Sequence, residues 1–223
     1  AAMTSGVATR PLEDPDAYEA ALDGSVYRSA FIMRPVFEAA RASERRIAFA
    51  EGEDERVLRA AFAMSEETRS RPILIGRPGV IQARLERFAI PLELERVEVV
   101  DPGCDPRYED YWRSYHRIMA RAGITPDLAR AVLRTNSTAI GAVMVRRGDA
   151  DAVIAGTFGQ YLWHLKYIEE ILAEERVRAV GALSLLILGW GPLFVTDTHV
   201  HPEPTPAEIA DIVQFLASDA SSY

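Results

Sequence analysis

Three stretches of this sequence carry side chains whose types and spacing suit chemistry. The first, Glu51-Gly52-Glu53-Asp54-Glu55-Arg56, sets four carboxylates beside a guanidinium, between the apolar run Ile47–Ala50 and the helical spacing of Val57, Leu58, Ala61 and Met64. Acids in that place can line a ligand site at the carboxyl end of a strand, or simply match the positive end of the next helix. The second, Asp149–Gly159, is an apolar strand that ends in Gly156-Thr157-Phe158-Gly159. Glycines there let backbone approach a ligand, and the N–H groups of the following helix attract anions. Lys166, two turns along that helix, can add positive charge; a purely structural turn fits these residues equally well. The third is Asp197-Thr198-His199-Val200-His201. On a strand its alternating polar residues share one face and have the spacing of metal ligands. No histidine follows His201, and the others, His116 and His164, are distant in sequence. The favoured reading is therefore a polar strand end before Pro202-Glu203-Pro204-Thr205.

Several chemistries find no support. Neither G-x-G-x-x-G nor G-x-x-x-x-G-K-[ST] occurs, which removes the usual dinucleotide and P-loop signatures, and no serine sits in a G-x-S-x-G elbow. Cys104 is the single cysteine, so an internal disulfide and a cysteine metal cage are excluded, as fits a reducing compartment. The net charge of −8, with the two signs interleaved, repels a phosphate backbone and argues against a nucleic-acid partner. No basic segment leads into an apolar stretch at the N-terminus, which predicts no secretory signal. Residues 179–196 are uncharged, but Gly189-Trp190-Gly191-Pro192 interrupts them, and Pro192 removes a donor that a membrane-spanning helix needs. Two buried strands, Gly181–Leu188 and Leu193–Val200, joined by a turn, are expected instead, with no membrane partner.

The elements that must position these residues follow from hydrophobic rhythm. Strands are expected at Ile47–Ala50, Pro72–Ile75, Glu95–Val100 and Asp151–Ile154, and helices at Glu53–Glu67, Gly79–Arg87, Tyr108–Ala122, Pro126–Val145, Tyr161–Leu172 and Pro206–Leu216. Nearly continuous apolar strands alternating with helices predict an α/β fold with a parallel sheet covered on both faces. Before it lie a helix near Ala17–Leu22 and two further helical stretches, with Pro35 near the start of the second. Tyr108, Tyr111, Trp112 and Tyr115 form an aromatic helix face suited to core or interface packing, and with the hairpin they are the expected sticky surface if the sheet is incomplete. The expected divisions are residues 1–44, a linker with helices; 45–172, a first α/β domain; and 173–223, the start of a second. The opening residues read as the end of another helix and the last helix lacks a following strand, which predicts a fragment.

Taken together, Ile47–Ala61, Arg71–Pro78, Asp105–Trp112, Gly148–Tyr161 and Gly191–Thr205 resemble the phosphotransacetylase-like C-terminal region of bacterial NADP-dependent malic enzymes, with residues 1–44 resembling the end of the malic domain and its linker. The resemblance implies a phosphotransacetylase-like (isocitrate-dehydrogenase-like) fold with an incomplete second domain. It implies a regulatory, acetyl-CoA-binding and oligomerising module of a cytoplasmic homo-oligomer whose parent decarboxylates malate. NADP and Mg or Mn would belong to the parent's malic domain, with no cofactor or metal in this chain and acetyl-CoA or a related acyl-CoA as effector. The transferase's catalytic Ser, Arg and Asp would lie beyond Tyr223, so no catalytic residue is expected here and the fragment is expected to be inactive. The ligand cleft would be formed by Glu51, Gly52, Arg56, Gly156, Thr157, Gly159 and Lys166. Met119 and Lys166 stand where true transferases resemble one another in having arginines, and His201 stands where related malic enzymes tend to have Asn. A phosphate acetyltransferase, moving acetyl between coenzyme A and phosphate, and an oligomerisation scaffold without ligand are the other readings.

Overall fold

The computed structural model describes residues 14–173, 180–188, 190–198, 200 and 203–216. Packing divides them into two units, residues 39–180 and the described residues up to Glu38 together with those from Gly181 onward.

Residues 39–180 form an α/β unit around four strands: β1 (Arg46–Phe49), β2 (Arg71–Ile75), β3 (Glu98–Val100) and β4 (Ala152–Ile154). Their order in space is β3-β2-β1-β4 and every pair is parallel. The chain thus steps outward from β1 to β2 and β3, then returns to the other side of β1. That reversal puts a topological switch point between β1 and β4, where the loops leaving the two strands diverge and leave a crevice.

Side-chain alternation fills both faces of the sheet. Ala48, Ile73, Ile75 and Val100 point to one face, into a core with α4 (Tyr108–Met119), α5 (Pro126–Thr135), α6 (Ser137–Arg147) and α7 (Tyr161–Leu172). Phe49 and Leu74 point to the other, against α2 (Glu55–Glu67) and α3 (Pro78–Arg87) through Val57, Leu58, Ala61, Ile81 and Leu85. The expected parallel sheet covered on both faces is what forms. Tyr111, Trp112 and Tyr115 are buried in the first core, so the aromatic face is internal packing and not a sticky surface.

Several boundaries differ from expectation for definable reasons. The single helix expected over Pro126–Val145 is two: Asn136 adopts an extended backbone (φ −120°, ψ 98°), and its side chain accepts from the Ala139 N–H at 3.0 Å, capping α6. An Asn that satisfies helix-end donors competes with continuing the preceding helix. The segment before β3 begins as a 3-10 turn, Leu94–Arg96, and the end of the Tyr108–Ala122 helix tightens to 3-10 geometry at Ala120–Ala122 before Gly123 turns left-handed at φ 87°. The separate N-terminal helical stretches are one helix, α1 (Pro15–Ala42), which runs through Pro35. Proline fixes its own φ near the helical value, so the cost is one lost backbone hydrogen bond and local crowding rather than an obligatory break.

In the other unit, β5 (Leu183–Leu188) and β6 (Gly191–Thr196) form an antiparallel two-stranded sheet, followed by α8 (Pro206–Leu216). Pro192 lies inside β6, opposite Ile187. The expectation of two buried strands is corrected: Leu183, Leu185, Leu186, Leu193 and Phe194 are all exposed, because a two-stranded ribbon brings no second layer of its own. The strand ends at Thr196, and Asp197 follows in a left-handed conformation at φ 57°, so Asp197 is not on a strand face; His199 and His201 lie outside the described residues. Among the described residues, no helix is long and apolar enough to cross a membrane.

Candidate functional site

At the carboxyl edge of the parallel sheet lies a cleft of about 640 Å³. It is walled by the segment after β1 (Ala50, Glu51, Glu53, Asp54), the end of β2 (Ile75, Gly76, Arg77), Asp101 after β3, Phe158 after β4, and the α5–α6 junction at Arg134, Thr135 and Ser137. Its volume is that of a small-molecule site.

The loops after β1 and β4 are tied across the switch point. Glu51 is 5% exposed, and its Oε1 accepts from the Gly156 N–H at 3.0 Å. Arg56 donates from Nη2 to the Thr157 carbonyl at 2.7 Å while its guanidinium holds Asp54 at 3.0 and 3.1 Å. That bond from Arg56 keeps the Asp54 carboxyl below its usual range. Gly52 is obligatory for a different reason: a Cβ there would stand 2.8 Å from both the N and the O of Ile75. Only a bare backbone passes so close to β2, where the Gly52 N–H also donates to the Ile75 carbonyl at 3.1 Å. Gly156 and Gly159 have φ of 101° and 93°, the left-handed region that glycine adopts without strain.

Beneath this turn lies a buried brace. His164, 5% exposed, places Nε2 2.7 Å from the Phe158 carbonyl and Nδ1 2.8 Å from the Thr138 hydroxyl. A carbonyl only accepts, so Nε2 carries the proton. In the neutral ring Nδ1 then accepts from Thr138. Glu51 Oε1 stands 4.0 Å from Nδ1, and Glu51 Oε2 is buried without a hydrogen-bond partner. A buried acceptor left open in a cleft wall is a place where a ligand N–H or O–H gains most.

Three arginines also line the cleft, among the carboxylates of Glu51, Glu53, Asp54 and Asp101. Arg77 grips Glu53 with Nε at 2.8 Å and Nη2 at 2.9 Å, and its backbone N–H donates to Glu53 Oε1 at 3.0 Å. The Arg77 side-chain bond holds the Glu53 carboxyl below its usual range against the opposing effect of burial. Arg84 donates to the Glu53 carbonyl. Arg134 packs 5.2 Å over the Tyr108 ring and has no ion pair among the described residues. It stands next to the start of α6, where the first N–H groups of a helix lack intrahelical acceptors. Cys104 donates to Asp101 Oδ2 at 3.5 Å, and this bond pushes the thiol up and away from the reactive thiolate. Among the described residues, no group of three or more His, Cys, Asp and Glu side chains could hold a metal ion.

Of the residues singled out in the sequence, Glu51, Gly52, Arg56, Gly156, Thr157 and Gly159 come together where the β1 and β4 loops meet. Glu51 is a buried wall and not an outer rim, and it already occupies the Gly156 N–H. Of these only Glu51 lines the cleft itself; Gly52, Arg56, Gly156, Thr157 and Gly159 tie the loops beside it, and Lys166 stands apart, with a 65% exposed side chain 3.8 Å from Glu170. The sequence reading missed His164, Thr138, the Glu53–Arg77 clasp and Arg134. The polar run Thr135-Asn136-Ser137-Thr138 inside an apolar helical stretch was the available signal for the α5–α6 junction. Nothing in the sequence marks His164 as the brace, because its partners come from the residues at 138 and 158.

The chain is similar throughout to known proteins. The model of the phosphate acetyl/butaryl transferase family matches residues 31–222. The chain is 48% identical over 226 residues to the NAD-dependent malic enzyme of Rhizobium meliloti, covering 100% of this chain and 29% of that protein. It is 41% identical over 225 residues to the NADP-dependent malic enzyme of Salmonella typhimurium, again over 100% of this chain but 30% of that protein. The match is to the C-terminal region of malic enzymes. The chain thus spans less than a third of the length of these relatives. Among solved structures, the EutD phosphotransacetylase from Staphylococcus aureus superimposes with a TM-score of 0.70 at 21% identity, over 82% of this chain and 55% of that one.

Proposed function

Because this chain belongs to the phosphate acetyl/butaryl transferase family, we propose that its cleft binds acetyl-CoA or a related acyl-CoA and that, in a malic enzyme, this binding regulates the oxidative decarboxylation of malate. The observation that carries this reading is the 640 Å³ cleft at the carboxyl edge of the sheet, which holds Arg134 without an ion pair among the described residues and an open buried acceptor at Glu51. An acyl-CoA has both complements, phosphates for Arg134 and the N-terminus of α6, and amide N–H groups for Glu51 Oε2. The similarity to malic enzymes supports the regulatory setting, in which the nicotinamide and divalent metal sites lie outside this chain. The two similar malic enzymes are named for different nicotinamides, so the choice between NAD and NADP rests with that other part. Cytoplasmic location and homo-oligomeric assembly belong to the same proposal. So does the absence of transacetylase turnover from these residues: the cysteine is held as a thiol, and His164, buried beneath the Gly156–Gly159 turn, is bonded at both nitrogens.

Calorimetric titration of the full-length protein with acetyl-CoA tests the reading, using Arg134→Gln and Lys166→Ala. Loss of a charge-assisted phosphate contact in Arg134→Gln is expected to weaken binding roughly ten- to a hundredfold. Lys166→Ala is expected to change it little, and a large loss there moves the phosphates to the Gly156–Gly159 turn. No saturable binding by the wild type leaves an oligomerisation scaffold. Acetyl phosphate formation from acetyl-CoA by these 223 residues alone would establish the transferase.

A further inference from the structure

A second concavity, of about 700 Å³, lies between α4, α6 and the end of α7, lined by Arg117, Arg121, Arg146 and Arg147 with Ser114 and Ala173. It shares no lining residue with the cleft at the switch point. Among the described residues four guanidiniums and no carboxylate line it, in a chain whose net charge is −8.

Two of these arginines are fixed. Arg146 donates from Nη1 to the Ile171 carbonyl at 2.8 Å, and Arg147 is held by Asp149 at 2.9 Å and by the Ser114 hydroxyl at 3.1 Å. The other two, Arg117 and Arg121, stand one helical turn apart and are exposed, and among the described residues they carry no hydrogen bond or ion pair.

Helix ends alone do not account for the cluster. The C-termini of α4, α6 and α7 each present about half a negative charge, or about 1.5 together. Asp149 and Asp110 both pair with Arg147, at 2.9 and 3.8 Å. Four guanidiniums then face two carboxylates and about 1.5 helix-end charges, which leaves an excess of about 0.5 positive charge among the described residues, in a concave, partly fixed setting. Guanidinium forks match phosphate oxygens in a bidentate way that an ammonium does not.

We propose that this concavity is a second anion site, separate from the acyl-CoA cleft, which takes a small phosphorylated anion with two or more charges, a phosphomonoester or a diphosphate. Arg146 and Arg147 are its preset wall, and Arg117 and Arg121 close on the ligand from α4 and the turn after it.

The test uses inorganic pyrophosphate as probe, titrated into the full-length protein at low ionic strength, with inorganic phosphate and sulfate in parallel. Pyrophosphate is expected to saturate one site more tightly than sulfate. Arg117→Gln with Arg121→Gln is expected to weaken it roughly ten- to a hundredfold, the loss of one charge-assisted contact or more. An Arg69→Gln, Arg71→Gln pair, exposed and outside the concavity, removes the same net charge and is expected to leave binding within about twofold. Bound pyrophosphate should also shield Arg117 and Arg121 from phenylglyoxal, read by peptide mass. No saturable pyrophosphate binding, an equal loss in the Arg69, Arg71 control, or unshielded Arg117 and Arg121 each overturns the proposal. Acetyl-CoA affinity of the Arg117, Arg121 variant separates the two sites: it stays unchanged if both readings hold, and if acetyl-CoA binds neither protein the cleft reading fails without touching this one.

Discussion

Two apolar runs of this chain look alike in sequence and meet opposite fates. Arg71-Pro72-Ile73-Leu74-Ile75 is a central strand whose Ile73 and Leu74 have no exposed surface at all. Leu183-Ser184-Leu185-Leu186-Ile187-Leu188 is as apolar, yet Leu186 keeps 44% of its surface and Leu183 keeps 49%. The first run lies between two parallel neighbours and under helices on both faces; the second has one partner strand. An apolar run states what a segment can bury, and the number of layers brought to it decides what it does bury.

The largest expected effect is the direct break of that comparison. Leu74→Ala should cost about 2–5 kcal/mol, because the surrounding core cannot collapse into the void. Leu186→Ala should stay within about 1 kcal/mol, since little packing is removed. Denaturant titrations followed by hydrogen exchange resolve the two regions separately. Equal losses at the two positions would show that the hairpin is covered in solution by a surface outside its own unit.

A glycine pair sharpens the same contrast at the backbone. Gly52→Ala would force a Cβ to 2.8 Å from the Ile75 N and O, and the β1–α2 turn must shift, at a cost of about 1–3 kcal/mol. Gly181→Ala meets only Ile212 Cγ1 at 3.6 Å, an ordinary contact, and should be close to neutral. Thermal unfolding of the two variants measures the difference. A neutral Gly52→Ala would mean that the β1–α2 turn has room to relax away from β2, and the shape of the cleft with it.

The same distinction explains what was legible in the sequence. The strand–helix alternation of residues 46–172 showed because each element repeats an apolar period set by its own covering layers. The meeting of Glu51–Arg56 with Gly156–Gly159 was legible through strand order logic, since both loops leave carboxyl ends. The brace of Thr138 and His164 was not, because it joins positions 26 residues apart through side chains that look like ordinary helix residues. Arg56 was read as a ligand residue, but its fork is spent on Asp54 and the Thr157 carbonyl, a geometry no spacing rule contains. The exposure of the hairpin was illegible for the converse reason: apolar patterning carries no information about which layer is present.

The smallest expected effect tests whether charge contributes to one region only. Glu53 and Arg77 join the segments after β1 and β2, with the Glu53 carboxyl held below its usual range by the Arg77 side-chain bond. A carboxylate lowered in the folded state adds stability above its unfolded value, near the ordinary 4.5, and loses that contribution as pH falls through the folded value. Glu53→Gln keeps an acceptor for the Arg77 N–H but removes the charge. At pH 7 it should therefore cost up to about 1 kcal/mol, a modest figure because the Arg77 side chain is 68% exposed and solvent screens the pair. The gap between wild type and variant should narrow once pH drops below 4.5 and vanish in stronger acid. Exchange protection in residues 39–180 should follow that course while amides of β5 and β6 show no difference between the two proteins. A gap that widens in acid would mean that folding raises the Glu53 carboxyl, and that burial outweighs Arg77. A gap equal in both regions would mean that the two units unfold together, and the contrast between them would then lie in surface exposure and not in independent stability.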